Sequence, residues 1–396
     1  MKKIIYLTFY FEPDLGAGSF RNTSLAKVLA KRSNNHDIEI DVYTTFPNRY
    51  KSFITQTKSF EKLFNLKIHR IQTPPHKNGI IDQILAFIKF YKEVLYRTKT
   101  TNADLVFASS SRLFTAYLGY QIAKKKGAIL YLDIRDIFVD TISDLYQNSI
   151  IRRPLLFILK RIERQVFKYA KHINLISPGF KNYFESFSSC NYTYFTNGVD
   201  DEFLQKTNTS KGRESLNNRN KKRIVYAGNI GEGQGLHHII PKSAKILGES
   251  YEFHIYGDGG AKGMLIENLK LYSDITNVKI FDPVDRQNLI EIYQKSDYLF
   301  IHLNSIPAFK KVLPSKIFEL ATFPKTIVAG VAGYAKEFIQ KEISDSIVFR
   351  PSDVDDFIDK IQTYKPKDSI NRIEFTRKFK RSKINLELSN SILSYL

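Results

Sequence analysis

A glycine-rich turn is the segment of this chain best suited to chemistry. A short apolar run, Arg223–Ala227, stops at Gly228, and glycines recur at Gly231, Gly233 and Gly235 before a helix-like segment begins. Glycine lets the backbone turn tightly and approach a ligand closely, and the first amides of a following helix point at any anion placed there. The pattern predicts a phosphate site with a nucleotide as ligand. The alternative is a tight strand-to-helix turn that binds nothing.

A second polar segment, Asn304–Leu320, lies further along the same half of the chain. Pro314 followed by Ser315 and Lys316 is typical of a helix start, with Ser315 as the N-cap. A helix N-terminus with a lysine suits a diphosphate, and Glu319 is suited to accept hydrogen bonds from ribose hydroxyls. The alternative is an ordinary capped helix with a solvated lysine and glutamate.

Two loops of the N-terminal half also carry polar groups that could act on a ligand. The loop Tyr10–Arg21 contains Gly18 and ends on Arg21, which we expect to contact an anion. Asp133 and Asp136 flank an arginine at the end of a predicted strand, where an aspartate can act as a base or orient a hydroxyl. A plain loop and a self-contained ion-pair cluster are the alternatives.

The remaining candidate ligand groups are weaker. Gly257 and Asp258 follow the strand after the glycine-rich turn, where a contact to base or ribose is expected. The chain has no CxxC pair, and His237 and His238 show no third ligand at metal-binding spacing, so we expect no metal.

Elements that would position these groups alternate between strand and helix along the chain, which predicts parallel strands with crossover helices. The predicted strands are Ile4–Phe9, Ile38–Thr44, Lys67–Ile71, Leu105–Ala108, Ile129–Ile134, Ile173–Ser177, Arg223–Ala227, Tyr251–Tyr256, Val278–Phe281, Tyr298–His302, Thr326–Ala329 and Ser346–Phe349. The predicted helices are Thr23–Arg32, Asp82–Arg97, Arg112–Lys125, Leu155–Lys171, His237–Leu247, Ala261–Leu271, Arg286–Lys295, Ser315–Phe323, Tyr334–Lys341 and Val354–Thr363.

A polar stretch, Gln205–Lys222, divides this alternation into two doubly wound α/β domains. We place the first domain at residues 1–204 and the second at 223–370, with residues 371–396 as a C-terminal helix that packs back on the first domain. Ligands of such sheets bind outside the carboxyl ends of the strands, so two facing domains would form a binding cleft.

Charge indicates the kind of surface that this protein meets. The chain has 396 residues, with 60 lysines and arginines against 40 acidic residues, giving a formal net charge of +20. Basic residues interleave with large apolar ones in Ile80–Arg97 and Ile150–Lys168, which favours an anionic membrane surface; ordinary helices with a solvated basic face are the alternative. We find no nucleic-acid-binding module and expect no nucleic acid partner. The single cysteine, Cys190, and the lack of an apolar run of roughly 20 residues predict a cytoplasmic protein, soluble or peripheral.

Over nearly its whole length the chain resembles the retaining GT-B glycosyltransferases of family 4, and within them the branch related to L-fucosamine transferases of bacterial O-antigen and capsule synthesis. The segments that carry the resemblance are Gly16–Arg21, Asn197–Asp200, Ala227–Leu236, Gly257–Gly259 and Pro314–Glu319.

This resemblance implies a GT-B fold, in which two Rossmann-like domains face each other across a cleft. It implies transfer of a sugar, with retention, from a nucleotide-sugar donor to a lipid-linked saccharide at the inner face of the membrane, without a metal cofactor. A UDP-linked donor is expected, with an N-acetylated amino sugar as one option. The site residues it implies are Gly231, Gly233, Gln234, Gly257, Asp258, Ser315 and Glu319 for the donor nucleotide, Gly18, Arg21 and Asp133 for acceptor or phosphate, and Asp136 and Lys316 for catalysis.

The sequence departs from the family pattern in two places. Asn229 and Gln234 stand where an arginine and a lysine commonly hold the donor diphosphate, and Lys311 stands where the first of two glutamates is common. Backbone amides, Lys316 and Arg21 would then have to bind the diphosphate. A Rossmann oxidoreductase is disfavoured because the glycines give G-x-G-x-G rather than G-x-G-x-x-G. A nucleotide-sugar epimerase of the same fold and a non-enzymatic basic anion-binding protein remain as alternatives.

Overall fold

The structure, a computed structural model, describes residues 1–14, 16–34, 37–48, 56–74, 80–110, 112–145, 152–187, 189–206, 221–272, 274–365, 367 and 369–396. Most of the predicted linker lies outside these ranges, as do Ile150 and Ile151. The chain divides into two compact units. Unit 1 consists of Met1–Asn197 with Ser382–Leu396, and unit 2 of Gly198–Arg381.

Unit 1 is a sheet of eight strands in the order β3-β4-β2-β1-β5-β6-β7-β8, parallel except for the β3–β4 pair. The strands are β1 Lys2–Leu7, β2 Ile38–Thr45, β3 Phe60–Leu63, β4 Leu66–Ile71, β5 Leu105–Ser110, β6 Ile129–Ile134, β7 His172–Leu175 and β8 Asn191–Thr193. The helices are α1 Ala17–Ser33, α2 Ile80–Arg97, α3 Leu113–Lys126, α4 Phe138–Leu145, α5 Arg152–Tyr169 and α6 Lys181–Phe184.

The last helix, α15 (Arg381–Leu393), completes the core of unit 1. Its Leu388 and Ile392 are fully buried with Ile4 and Leu25 of β1 and α1. The Tyr131 hydroxyl lies 2.9 Å from Ser391 Oγ, which ties the same helix to β6. The apolar face of the C-terminal helix therefore belongs to the first domain's hydrophobic core.

Unit 2 is a parallel sheet of six strands in the order β11-β10-β9-β12-β13-β14. The strands are β9 Lys222–Ala227, β10 Tyr251–Tyr256, β11 Val278–Phe281, β12 Tyr298–His302, β13 Thr326–Gly330 and β14 Ser346–Phe349. The helices are α7 Asp201–Lys206, α8 Leu236–Leu247, α9 Lys262–Lys270, α10 Arg286–Gln294, α11 Lys316–Leu320, α12 Tyr334–Glu342, α13 Val354–Thr363 and α14 Ile373–Lys378.

Both faces of this second sheet are covered, which is why its strands are continuous apolar runs. Along β9, Val225 packs in one core cluster and Ile224 and Tyr226 in the other. A parallel sheet with helices on both faces buries every side chain of its central strands. The sequence prediction of a doubly wound α/β sheet is confirmed here.

Nine of the ten predicted helices differ from the structure by at least one residue at an end, and two of these differences concern the polar loops. The predicted helix Ser315–Phe323 is only α11, Lys316–Leu320, and the helix predicted from Thr23 begins at Ala17. The glycines and serine at the start of α1 resemble a loop by residue type, but the packing of α1 on the sheet outweighs that local preference. No helix within the described ranges is both long and apolar enough to span a bilayer.

Candidate functional site

The glycine-rich turn after β9 lies against the loop after β10, with backbone touching backbone. A Cβ atom on Gly257 would overlap the carbonyl oxygen of Gly228, and one on Gly259 would lie 2.6 Å from that of Ile230. The Ile230 amide donates to the Asp258 carbonyl at 2.9 Å, which joins the two loops. Gly257 and Gly259 also have φ values of 154° and 155°. Only glycine fits these two positions, so the sequence builds a close junction of two strand ends.

The two residues that replace the family's cations fold the turn onto itself. Asn229 Nδ2 donates to Gln234 Oε1 at 2.7 Å, and the Tyr226 hydroxyl donates to the Asn229 carbonyl at 2.5 Å. A Cβ on Gly231 would lie 2.5 Å from Asn229 Nδ2. The neutral side chains of this turn therefore shape its backbone.

The amides of the turn differ in what they bind. Those of Gln234 and Gly235 donate to carbonyls of the turn, at 3.0 Å for Gln234 to Gly231. Those of Gly231, Glu232 and Gly233 donate to no other described residue. Three consecutive amides at the carboxyl end of a parallel strand can bind an anion by donating hydrogen bonds to it.

Lys316 brings a cation to this turn. A Cβ on Gly228 would lie 2.8 Å from Lys316 Nζ, so the amine rests directly on the glycine backbone. Burial lowers the pKa of Lys316, and the charge of Glu319, one helical turn later, opposes that shift. The ammonium group of Lys316 thus occupies the space that a side chain at position 228 would otherwise fill.

Ser315 does not cap α11, contrary to the sequence interpretation. Its backbone is already helical, with φ −59° and ψ −28°, and its side chain makes no capping hydrogen bond. An N-cap residue needs extended backbone for its oxygen to reach the amides of the first turn. Ser315 lies beside Lys316 in the chain and contributes no N-cap.

The other residues predicted to bind the donor nucleotide lie around the same turn. The Asn304 amide donates to the Gly233 carbonyl at 2.9 Å, and a Cβ on Gly233 would lie 3.0 Å from the ring of Phe309. Asp258 Oδ1 accepts a hydrogen bond from the Gly259 amide at 2.8 Å. The structure therefore brings together Gly231, Gly233, Gln234, Gly257, Asp258 and Lys316, with Ser315 and Glu319 on either side of the lysine in the chain.

His302, at the end of β12, is a residue of this site that sequence reasoning missed. Burial lowers its pKa to about 4, so the ring is neutral at pH 7. Its Nδ1 lies 2.6 Å from the Gln234 carbonyl, and its Nε2 accepts from the Ser352 amide at 2.9 Å. This pattern assigns the proton to Nδ1, which donates to the turn. The only sequence signal was a histidine closing an apolar strand.

In unit 1, Arg21 and Asp133 form a closed buried ion pair. Both side chains are 0% exposed, and Arg21 Nη2 lies 2.9 Å from Asp133 Oδ1. Arg21 also donates to the carbonyls of Thr196 and Phe195, at 2.7 and 3.0 Å. Burial alone would raise the pKa of Asp133, but the charge and hydrogen bonds of Arg21 lower it below its usual value.

The strand register explains this cluster. Ser109 and Asn174 are the direct neighbours of Asp133 on β5 and β7, and both donate to its carboxylate, at 2.9 and 2.8 Å. We expected Arg21 and Asp133 to contact acceptor or phosphate. The structure corrects that expectation, because both groups are fully buried and satisfied within the domain.

Arg135, and not Arg21, is the arginine that lies against the glycine at the start of α1. A Cβ on Gly18 would lie 2.7 Å from Arg135 Nη2, so the guanidinium rests on the start of α1. Burial raises the pKa of Asp136 to about 6, although the charge of Arg135 opposes the shift. An aspartate that titrates near neutrality beside an arginine can exchange a proton or orient a hydroxyl.

A third potential metal ligand joins the histidine pair. The ligand atoms of Glu232, His237 and His238 lie within 4.8 Å of one another, although the chain spacing had suggested no third partner. His237 Nε2 lies 3.5 Å from Glu232 Oε2. Burial, and then the neighbouring His238, lower the pKa of His237, and the charge of Glu232 opposes that shift.

Solved structures share this architecture over the length of the chain. Sucrose-phosphate synthase from Thermosynechococcus elongatus matches with a TM-score of 0.65 at 12% identity, covering 99% of this chain and 95% of that one. HepE from Anabaena, solved with UDP and glucose, matches with a TM-score of 0.62 at 15% identity, covering 100% and 97%. The lipopolysaccharide outer core galactosyltransferase WaaB matches with a TM-score of 0.59 at 13% identity, covering 100% of each chain.

The fold is therefore GT-B, with two Rossmann-like α/β domains, as the sequence predicted. Residues 208–380, which lie within unit 2, match the family described as "Glycosyl transferases group 1". A stretch of 117 residues is 30% identical to WcaI of Escherichia coli (strain K12), named as a colanic acid biosynthesis glycosyl transferase. That match covers 30% of this chain and 28% of the relative.

Proposed function

We propose that this protein is a retaining glycosyltransferase of family 4 that uses a UDP-linked sugar donor and a lipid-linked saccharide acceptor in surface polysaccharide synthesis. The observation that carries the proposal is the contact of Lys316 with Gly228 at the junction of two glycine loops. A cation and free amides at the carboxyl ends of parallel strands suit a nucleoside diphosphate. The matched group 1 domain and the names of WcaI and WaaB support the reaction class and the pathway.

On the donor side, charge stabilisation is the main task of the protein. The amides of Gly231 to Gly233 bind the diphosphate, and Lys316 neutralises the charge that develops on it as the glycosidic bond to the nucleotide breaks. Glu319 accepts hydrogen bonds from the ribose hydroxyls. The transfer step needs no metal ion in this proposal, because the lysine and the amides supply the positive potential.

On the acceptor side, Asp136 accepts a hydrogen bond from the attacking hydroxyl and orients it. Arg135, next to Gly18, binds the anion, which is the role that the sequence had suggested for Arg21. Arg21 and Asp133 hold the strand ends that carry these two residues.

The deciding experiment combines ligand-induced stabilisation with a product assay. A donor bound by the native state raises the melting temperature, so a panel of UDP-, GDP- and dTDP-sugars should give the largest shift with one UDP-sugar. That donor should then transfer its sugar to a lipid-linked saccharide, with the anomeric configuration retained by NMR. An altered nucleotide sugar without acceptor would instead identify an epimerase, and no shift with any nucleotide would leave only an anion-binding protein.

We also propose that unit 1 lies on the anionic inner face of the membrane, where its lipid-linked acceptor would be found. On α5, Phe157 and Ile158 are 70% and 55% exposed, and Leu155, two residues before Phe157, is 40% exposed, so the exposed apolar side chains are clustered. The same helix exposes several basic side chains, among them Lys160, Arg161, Arg164 and Lys168. An apolar edge beside a basic stripe is the composition of helices that bind the lipid interface.

Vesicle co-sedimentation tests this placement. We expect binding to anionic but not neutral vesicles, weakened by salt, because each cation near such a surface contributes about 1 kcal/mol. Replacing Lys160, Arg161, Arg164 and Lys168 of α5 by glutamine should abolish binding, whereas Lys124→Gln with Lys125→Gln on α3 should leave it intact. Binding that ignores lipid charge, or that survives the α5 replacements, would contradict the proposal.

A further inference from the structure

We propose that Glu232, His237 and His238 bind a divalent metal ion of the zinc class where the glycine-rich turn enters α8. Their ligand atoms lie within 4.8 Å of one another, and Glu232 Oε2 is 3.5 Å from His237 Nε2. A tetrahedral zinc ion with bonds of about 2.0–2.1 Å holds neighbouring ligand atoms roughly 3.3 Å apart. The glutamate and the first histidine already have nearly that spacing, and the ligand atom of His238 lies within 4.8 Å of both.

The surroundings of His237 independently indicate a ligand. Its side chain is only 5% exposed, and its Nδ1 has no hydrogen-bond partner among the described residues. Its other nitrogen faces a carboxylate, which is an acceptor, so no described donor occupies either ring nitrogen. A buried imidazole with an unused lone pair is what a transition-metal ion requires.

The backbone that carries the three ligands is fixed on both sides. The Glu232 carbonyl accepts from the Gly235 amide at 3.1 Å and from Asn304 Nδ2 at 3.0 Å. The His237 carbonyl accepts from Asn268 Nδ2 at 2.9 Å. An ion bound here would therefore cross-link a rigid turn to the first turn of α8.

The donor set determines which ion fits. Two imidazoles and one carboxylate favour zinc over magnesium or calcium, which prefer oxygen ligands, and they leave a fourth position for water. This ion lies outside the transfer step proposed above, and its binding can be measured without any sugar substrate.

The same domain contains a matched control. Glu252 Oε2 lies 3.1 Å from His254 Nε2, which gives a similar glutamate–histidine pair. Among the residues that the structure describes, no further histidine, cysteine or acidic side chain completes a metal-binding group around it. A glutamate–histidine pair alone should not retain zinc.

The test uses the full-length chain without an affinity tag, stripped of metal by a chelator. Titration calorimetry with Zn²⁺ and elemental analysis after dialysis should give one ion per chain, and Zn²⁺ should raise the melting temperature. Glu232→Gln and His238→Ala should each weaken binding at least about tenfold, because loss of an outer-shell partner alone costs that much. Both positions are exposed, so these variants should fold.

Glu252→Gln should bind Zn²⁺ as the wild type does, and excess Mg²⁺ should not displace the ion. Failure of the wild-type chain to bind Zn²⁺ would overturn the proposal. So would equal binding by the Glu232 and His238 variants, or an equal loss in the Glu252 control.

Discussion

The turn after β1 in unit 1 and the turn after β9 in unit 2 occupy the same place in their sheets, yet their charges serve different purposes. In unit 1 the cation, Arg21, is fully buried against Asp133. In unit 2 the turn has no cationic side chain of its own, and the cation, Lys316, comes from a distant helix and rests on Gly228. The first turn is part of the scaffold, whereas the second keeps amides and an amine available to an anion.

This difference shows why residue type alone does not reveal a phosphate site. A buried charge must be paired, and Arg21 meets that need through a carboxylate and two carbonyls. Nothing remains for a ligand. The turn after β9 contains no cationic side chain, so its three free amides remain the most direct anion contact.

Breaking the buried pair should give the largest effect. Asp133→Ala leaves the Arg21 guanidinium without its carboxylate and should reduce the free energy of unfolding by about 3–5 kcal/mol. Urea denaturation of both proteins measures this change. Asp136→Asn is the control. It should fold normally, because burial disfavours the charged carboxylate that this substitution removes. A stable Asp133→Ala protein would show that the pair is not structural.

Removing the proposed ribose contact should have the next largest effect. Glu319→Ala should weaken UDP binding by about 1.5–3 kcal/mol, because a charge-assisted hydrogen bond is lost, while the fold stays intact. Calorimetry with UDP measures the affinity, with Glu337→Ala on the exposed side of α12 as the control. Unchanged UDP affinity in a folded Glu319 variant would refute the assignment.

The acceptor-side carboxylate should give a pH dependence that the donor side lacks. The pKa of Asp136 is raised from 3.8 to about 6, so the group is protonated below pH 6 and becomes a carboxylate as the pH rises. If the carboxylate orients the acceptor, kcat/KM should be half-maximal near pH 6 and fall about tenfold per unit below it. The affinity for the UDP-sugar should stay flat across the same range, because its diphosphate, unlike the terminal phosphate of free UDP with a pKa of about 6, does not titrate there. A transfer rate independent of pH between 5 and 7 would show that the Asp136 carboxylate does not orient the acceptor.

The smallest effect is expected for Gln234. Gln234→Ala removes one hydrogen bond to Asn229 and should change UDP affinity less than about threefold, because backbone amides carry the contact. Gly231→Val should block binding, since a Cβ there would lie 2.5 Å from Asn229 Nδ2 and would crowd the amides. The opposite ranking would mean that side chains, and not amides, bind the diphosphate.

Most of the fold could be predicted because its strands are buried on both faces. The strands β6, β10, β11, β12 and β14 have the bounds that their apolar runs predicted. The strands β3 and β8 were missed. β3 is a short antiparallel edge strand with mostly exposed residues, and β8 is only three residues long, so neither has an apolar run.

The amino-acid sequence by itself determined the alternation of strands and helices and the positions where only glycine fits, because apolar periodicity and backbone conformation are local properties. Tertiary structure decided how the charged and ligating groups pair. Arg21 reaches a carboxylate 112 residues away, and Lys316 lies against Gly228, which belongs to a much earlier loop of the chain. A charged side chain is paired within the fold or available to a ligand, depending on which distant groups the packed chain places beside it. Short-range sequence patterns do not predict that placement.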